Sequence, residues 1–147
     1  MSNIIPRSIY KTIEYRLHTY ELMKTRISEW EASIYSHNKT IAETSSKAEG
    51  FYSDPTALTV IKMLNPPNDI KTDMCWVNTI DRAREHFIDC NKSKECLFEF
   101  YYGKDKRSVT AILNDLYCEK QTFYNWRDDL VNWIAMRATQ HNLIKFD

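Results

Sequence analysis

The chain has 147 residues, 43% of them hydrophobic and 13% aromatic, which is one domain's worth of material and too apolar for intrinsic disorder. Its 2 glycines, Gly50 and Gly103, are far apart, so no glycine-rich phosphate loop of the G-x-G-x-x-G or P-loop kind is present. The 20 basic and 20 acidic side chains cancel, so no bulk field draws the protein to nucleic acid or an anionic membrane, and any DNA binding must rest on a local patch.

No apolar run approaches the roughly 18 residues of a membrane span, and no membrane partner is expected. The opening MSNIIPRSIYK is too short and too polar for a signal-peptide core. Cys75, Cys90, Cys96 and Cys118 form no C-x-x-C pair, which reads as a cytoplasmic protein with free thiols packed as small hydrophobes. Pro6, Gly50, Pro55, Pro66, Pro67 and Gly103 cut the chain into long pieces. Within them apolar residues recur at three- and four-residue spacing, without sustained alternation, and valine is scarce. The expected fold is all-α: a long N-terminal helix plus a C-terminal three-helix unit that contains a helix-turn-helix.

Residues 1–36 read as the long N-terminal helix, with Pro6 in its first turn. Ile9, Ile13, Tyr20, Met23, Ile27, Trp30 and Ile34 form a heptad-like seam that Arg16 interrupts, with Leu17 beside it as a substitute. Such a seam either lies on the chain's own core or meets a second copy in a homodimer. Residues 37–53 are polar, small and aperiodic and read as a loop or linker. Residues 54–91 hold the central helices. Asp54-Pro55 opens a short one with Leu58, Ile61 and Leu64 on one face, and Asn65-Pro66-Pro67-Asn68 stops it. The next runs over 69–90, with Trp76, Val77, Ile80, Ala83, Phe87 and Ile88 as its apolar stripe.

Residues 92–147 carry the functional signal. Ser93 caps a helix through Tyr102, and Gly103 ends it. Ser108 caps a short helix lined by Val109, Ile112, Leu113 and Leu116, Tyr117-Cys118-Glu119 makes a tight turn, and a long helix begins at Lys120. A helix of about eight residues, a three-residue turn and a second helix is helix-turn-helix spacing, although a plain three-helix bundle produces the same periodicity. The core of this unit should comprise Phe98, Tyr101, Leu113, Leu116, Cys118, Phe123, Trp126, Leu130 and Ile134, with Ala138 on the same arc. Lys120, Gln121, Tyr124, Asn125 and Asp128 then point the other way, and the first four are the candidate base-reading residues. Lys104, Lys106 and Arg107 precede the short helix where phosphates would pass, and Ser108 with the free helix N–H groups adds to that anion site. Tyr117 stands where a glycine is usual and would be strained at a positive φ, and Glu119 is a poor cap.

SVTAILNDLYCEKQTFYNWRDDLVNWIAMRATQHNLI, preceded by CLFEFYYG, resembles the C-terminal region of the ArpU/RinA-type phage transcriptional regulators. SDPTALTVIK, after a long helix and a polar stretch, resembles the same proteins, so the likeness runs from about Ile9 to Ile144; its most specific piece is TFYNWRDDLVNWIA. The family's C-terminal part is similar to region 4 of sigma factors. The resemblance implies a regulator in the cytoplasm of a bacterial host cell that binds duplex DNA at the late-operon promoter region and activates late phage or prophage genes. Host RNA polymerase and a phage regulatory protein are the further partners it suggests. The chain departs from the family at Asn125, where many relatives carry a basic residue, and at Glu119, where they carry a Ser-like cap.

Other constellations are weaker. His86, Cys90 and Cys96 lack the paired spacing of a zinc site, and His18, His37 and His141 read as surface groups, so no metal or cofactor is expected. No nucleophile, base and orienting group can be assembled, so no catalytic residue is assigned and no enzyme is expected. Asp128 and Asp129 read as solvated charges beyond the reading turn. A small terminase-like DNA-packaging protein and a helical adaptor or inhibitor that binds protein are the alternative functions.

Overall fold

The computed structural model describes residues 5–45, 55–90, 97–103 and 106–144. Among these the chain is all-helical: α1 (Arg7–His18), α2 (Tyr20–Ser45), α3 (Pro55–Leu64), α4 (Asn68–Cys90), a π-helical turn (Leu97–Tyr101), α5 (Val109–Leu116) and α6 (Lys120–Gln140), with no strand. It divides into two compact units, one of residues 1–22 with 75–147 and one of residues 23–74.

The first unit is organised around α6. Phe123, Leu130, Val131, Ile134, Ala135 and Ala138 are buried along it, and α1 packs against it through Tyr10, Ile13 and Leu17. Trp76, Ile80, Ala83 and Phe87 of α4, Leu97 and Phe98 of the π turn, Tyr102 and Ile112 complete the core. The expected core is thus met at Phe98, Phe123, Leu130 and Ile134, whereas Tyr101, Leu113, Leu116, Cys118 and Trp126 are half-buried. The reason is rotational. At about 100° per residue, burial of Val131 and Ala135 turns the inward arc away from Trp126 and brings Arg127 towards its middle.

The single N-terminal helix expected over 6–36 is two helices. Pro6 stands at the cap in extended geometry (φ −58°, ψ 147°) and not inside the first turn. Thr19 separates α1 from α2 with φ −100° and ψ 9°. Its hydroxyl donates to the Tyr15 carbonyl at 2.8 Å, a carbonyl that the Thr19 N–H also reaches at 3.0 Å. The same bond occurs inside unbroken helix at Thr12, Thr79 and Thr139, so it accompanies the break at Thr19 without causing it alone. Ile13 and Leu17 are buried among the chain's own residues, so the first part of the seam is already covered without a second copy.

In the second unit α2 continues to Ser45, through residues 37–45 that were expected to be loop. No proline or glycine occurs between Pro6 and Gly50, so nothing in the sequence stops the helix at Ser36. The remainder of that expected linker, 46–53, and the proposed Asp54 cap lie outside the described residues. Arg26 grips the buried Asp73 with two contacts, Nε to Oδ2 at 3.1 Å and Nη2 to Oδ1 at 3.2 Å. Helix α3 ends where expected, with the Asn65 side chain donating to the Ile61 carbonyl at 2.8 Å. On its apolar face, among the described residues, Val60, Ile61 and Leu64 are exposed.

Candidate nucleic-acid interface

Helices α5 and α6 begin and end at the expected positions around the turn, and local chemistry accounts for these boundaries. The Ser108 hydroxyl accepts from the Ala111 N–H at 3.2 Å and starts α5, which has 8 residues. Tyr117 stops it in the left-handed region (φ 52°, ψ 40°), and the Cys118 N–H reaches back to the Leu113 carbonyl at 3.3 Å. Glu119 then takes extended geometry, contributes no side-chain cap, and hands the chain to the 21-residue α6. The turn has the expected length and carries the expected strain, since a tyrosine occupies a position that favours glycine.

The four candidate reading residues fall on the first turns of α6. Lys120, Gln121 and Asn125 are exposed and Tyr124 is half-buried. They form two local pairs. The Gln121 Nε2 donates to Asn125 Oδ1 at 3.0 Å, and the Lys120 ammonium lies 5.9 Å from the Tyr124 ring centre. The amide pair leaves the Gln121 oxygen and the Asn125 nitrogen available, the complement an adenine edge needs.

The candidate phosphate residues are less uniform. Lys106 is exposed, with its ammonium 3.4 Å from His18 Nδ1. Arg107 is held by Asp115 at 2.6 Å, so it reaches a phosphate only by exchanging that carboxylate. The Ser108 hydroxyl is engaged as the α5 cap. Lys104 lies outside the described residues.

Behind the first turns of α6 is a network that the sequence reading does not contain. Arg127 lies between two rings, 4.6 Å from the centre of Tyr124 and 5.6 Å from that of Tyr10, and its Nη1 donates to the Tyr101 hydroxyl at 3.4 Å. Burial opposes its charge, but the Tyr101 hydroxyl and nearby Glu14 more than offset this, so the guanidinium stays protonated. Asp128, expected to be a solvated charge, is half-buried and accepts from the Tyr10 hydroxyl at 2.7 Å. Tyr102 donates to Glu14 at 3.1 Å, and burial and the Glu14 charge raise its phenol well above the ordinary range. His18 meets the Tyr102 ring edge-on at 4.8 Å; burial and the adjacent Lys106 lower its pKa, against the pull of Glu14. The hint in the sequence was rotational: Arg127 lies four residues after Phe123 and three before Leu130, on the inward arc.

His86 stacks on Trp133 with ring centres 5.1 Å apart and planes 19° from parallel. Cys96, weighed with it as a metal ligand, lies outside the described residues. Among the described residues no group of three potential ligands converges, and no helix is long and apolar enough to cross a membrane. No family model, curated protein or solved structure matches the chain.

Proposed function

We propose that the protein is a sequence-specific DNA-binding regulator, acting on late phage genes, with α5 lying across the backbone and the first turns of α6 entering the major groove. The observation that carries this reading is the α5–turn–α6 unit: a capped helix of 8 residues, a tight turn, and a long helix whose exposed opening residues are Lys120, Gln121 and Asn125. The resemblance of Thr122–Ala135 to the ArpU/RinA-type regulators supplies the late-gene assignment. The net charge of zero limits the contact to a few phosphates, about 3–5 per bound subunit, with a salt slope of roughly −3 to −5. Duplex titrations across several salt concentrations test this. Lys106→Ala should weaken cognate and random duplexes about equally and flatten the slope by about one unit. An unchanged slope removes Lys106 from the phosphate contact.

One observation favours a second reading. The exposed Val60, Ile61 and Leu64 on α3 suit a protein partner, as an adaptor or a polymerase-contacting activator would need. Substitution of Leu64 by Asp separates the two, because it should abolish a protein contact and leave duplex binding intact.

A further inference from the structure

The N-terminal part of α1 and the middle of α6 enclose an open concavity of about 380 Å³, lined by Ile5, Arg7, Tyr10, Lys11, Glu14 and Arg127. Three of its six lining residues are cations and one is an acid. Arg7 and Lys11 are one helical turn apart on α1, both exposed, and neither has an ion pair or side-chain hydrogen bond among the described residues. Arg127 reaches the same space from α6 and is held by the Tyr10 and Tyr124 rings. Two carboxylates are close: Glu14 lines the same space and accepts from Tyr102, and Asp128 accepts from Tyr10 and lies 4.0 Å from the Arg127 Nε, so an anion shares Arg127 with Asp128. Pro6 caps α1 without a side-chain acceptor, so the positive end of the helix dipole adds to the potential at Arg7. Buried Ile5 and Tyr10 give the cavity an apolar wall.

We infer that this concavity is a binding site for a phosphate group, with Arg7 and Lys11 as the mobile clamps and Arg127 as the fixed one. Three cationic donors on two helices suit the three terminal oxygens and double charge of a phosphate monoester, or two successive singly charged phosphodiesters of a DNA backbone, better than the two oxygens of a lone carboxylate. The site goes beyond the reading helix and does not depend on it. The Arg127 guanidinium is held in place from the other side by the Tyr124 ring, 4.6 Å from its centre. The phosphate has two sources, the DNA backbone or a free phosphorylated small molecule, and the two are distinguished by experiment.

The full chain is titrated with inorganic phosphate and with adenosine 5′-monophosphate, at ionic strength matched with sodium chloride, and separately with duplex DNA across several salt concentrations. The Arg7→Ala/Lys11→Ala double variant is compared with the wild type and with Lys71→Ala, an exposed lysine of the other unit. If the site takes a free phosphate, the wild type and Lys71→Ala bind the small probes saturably and the double variant binds them about tenfold or more weakly. If it takes the DNA backbone, the double variant loses about two units of salt slope on every duplex while the ratio of cognate to random affinity is kept. Lys11→Glu should deepen whichever loss is seen, and circular dichroism confirms that each variant is folded. The inference is overturned if phosphate and adenosine monophosphate bind no differently to wild type and double variant and the duplex slope is also unchanged. Failure of the reading-helix assignment would leave the small-probe result standing, and loss of the phosphate site would leave base reading by Gln121 and Asn125 untouched.

Discussion

Three of the chain's 9 tyrosines, Tyr10, Tyr20 and Tyr102, are held neutral beyond the ordinary phenol range by burial and by a carboxylate each: Asp128, Asp81 and Glu14. Tyr20, which donates to Asp81, is pushed up to about 12. The sign follows from linkage. The folded state keeps protons that the unfolded chain releases near pH 10, so these bonds contribute fully below pH 10 and are lost as pH rises through the folded-state values. Alkaline titration followed by tyrosinate absorbance should therefore be biphasic, with the delayed phase coinciding with loss of helical circular dichroism. A single phase near pH 10 with the fold retained would contradict the three pairings. A second residue-scale test lies at the turn. Tyr117 is 96% exposed and sits at φ 52°, so its side chain packs on nothing that a smaller residue would forfeit. Tyr117→Gly should raise stability by about 1 kcal/mol, or roughly 2–4 °C in Tm. A lower Tm would mean that the left-handed geometry costs the tyrosine nothing.

At the scale of elements, burial along α6 predicts an order of mutational effects. Phe123→Ala should cost about 3–5 kcal/mol in urea denaturation, because the ring is fully buried. Trp126→Ala should cost less, about 1–2 kcal/mol, because that residue is only half-buried. The reverse order would place the buried face of α6 elsewhere. The boundaries of α5 and α6 were legible in the sequence because their signals are local: a serine cap, a three-residue turn and apolar residues at helical spacing. The break at Thr19 was not, since threonines stand inside unbroken helix at Thr12, Thr79 and Thr139 and the residue type marks no boundary. Helix over 37–45 was also hidden, because no apolar stripe runs through it. Arg127 and Asp128 were misread for another reason. Charged residues are assigned to solvent by type, and the partner that draws Asp128 inward, Tyr10, is 118 positions away.

For the whole molecule, the balance of 20 basic and 20 acidic side chains means that recognition rests on where charges are placed. The all-helical class followed directly from periodicity and the scarcity of breakers. The boundary between the two units falls within α2 and α4, where no proline, glycine or polar stretch marks it. The site was legible in part. The exposure of the candidate residues Lys120, Gln121 and Asn125 follows from the phase of α6, whereas the engagement of Arg107 by Asp115 and the concavity beside Arg127 depend on contacts that spacing does not encode. The central claim is that Gln121 and Asn125 read base edges. The most direct measurement is selection of duplexes from a randomised pool by the full chain, followed by titration of the selected and scrambled duplexes with wild type and with the Gln121→Ala/Asn125→Ala variant. The account predicts that the wild type enriches a defined sequence. It also predicts that the variant loses about 1–3 kcal/mol on that sequence with little change on the scrambled one. Enrichment of no sequence, or a selected-to-scrambled ratio that the double variant leaves unchanged, would contradict it.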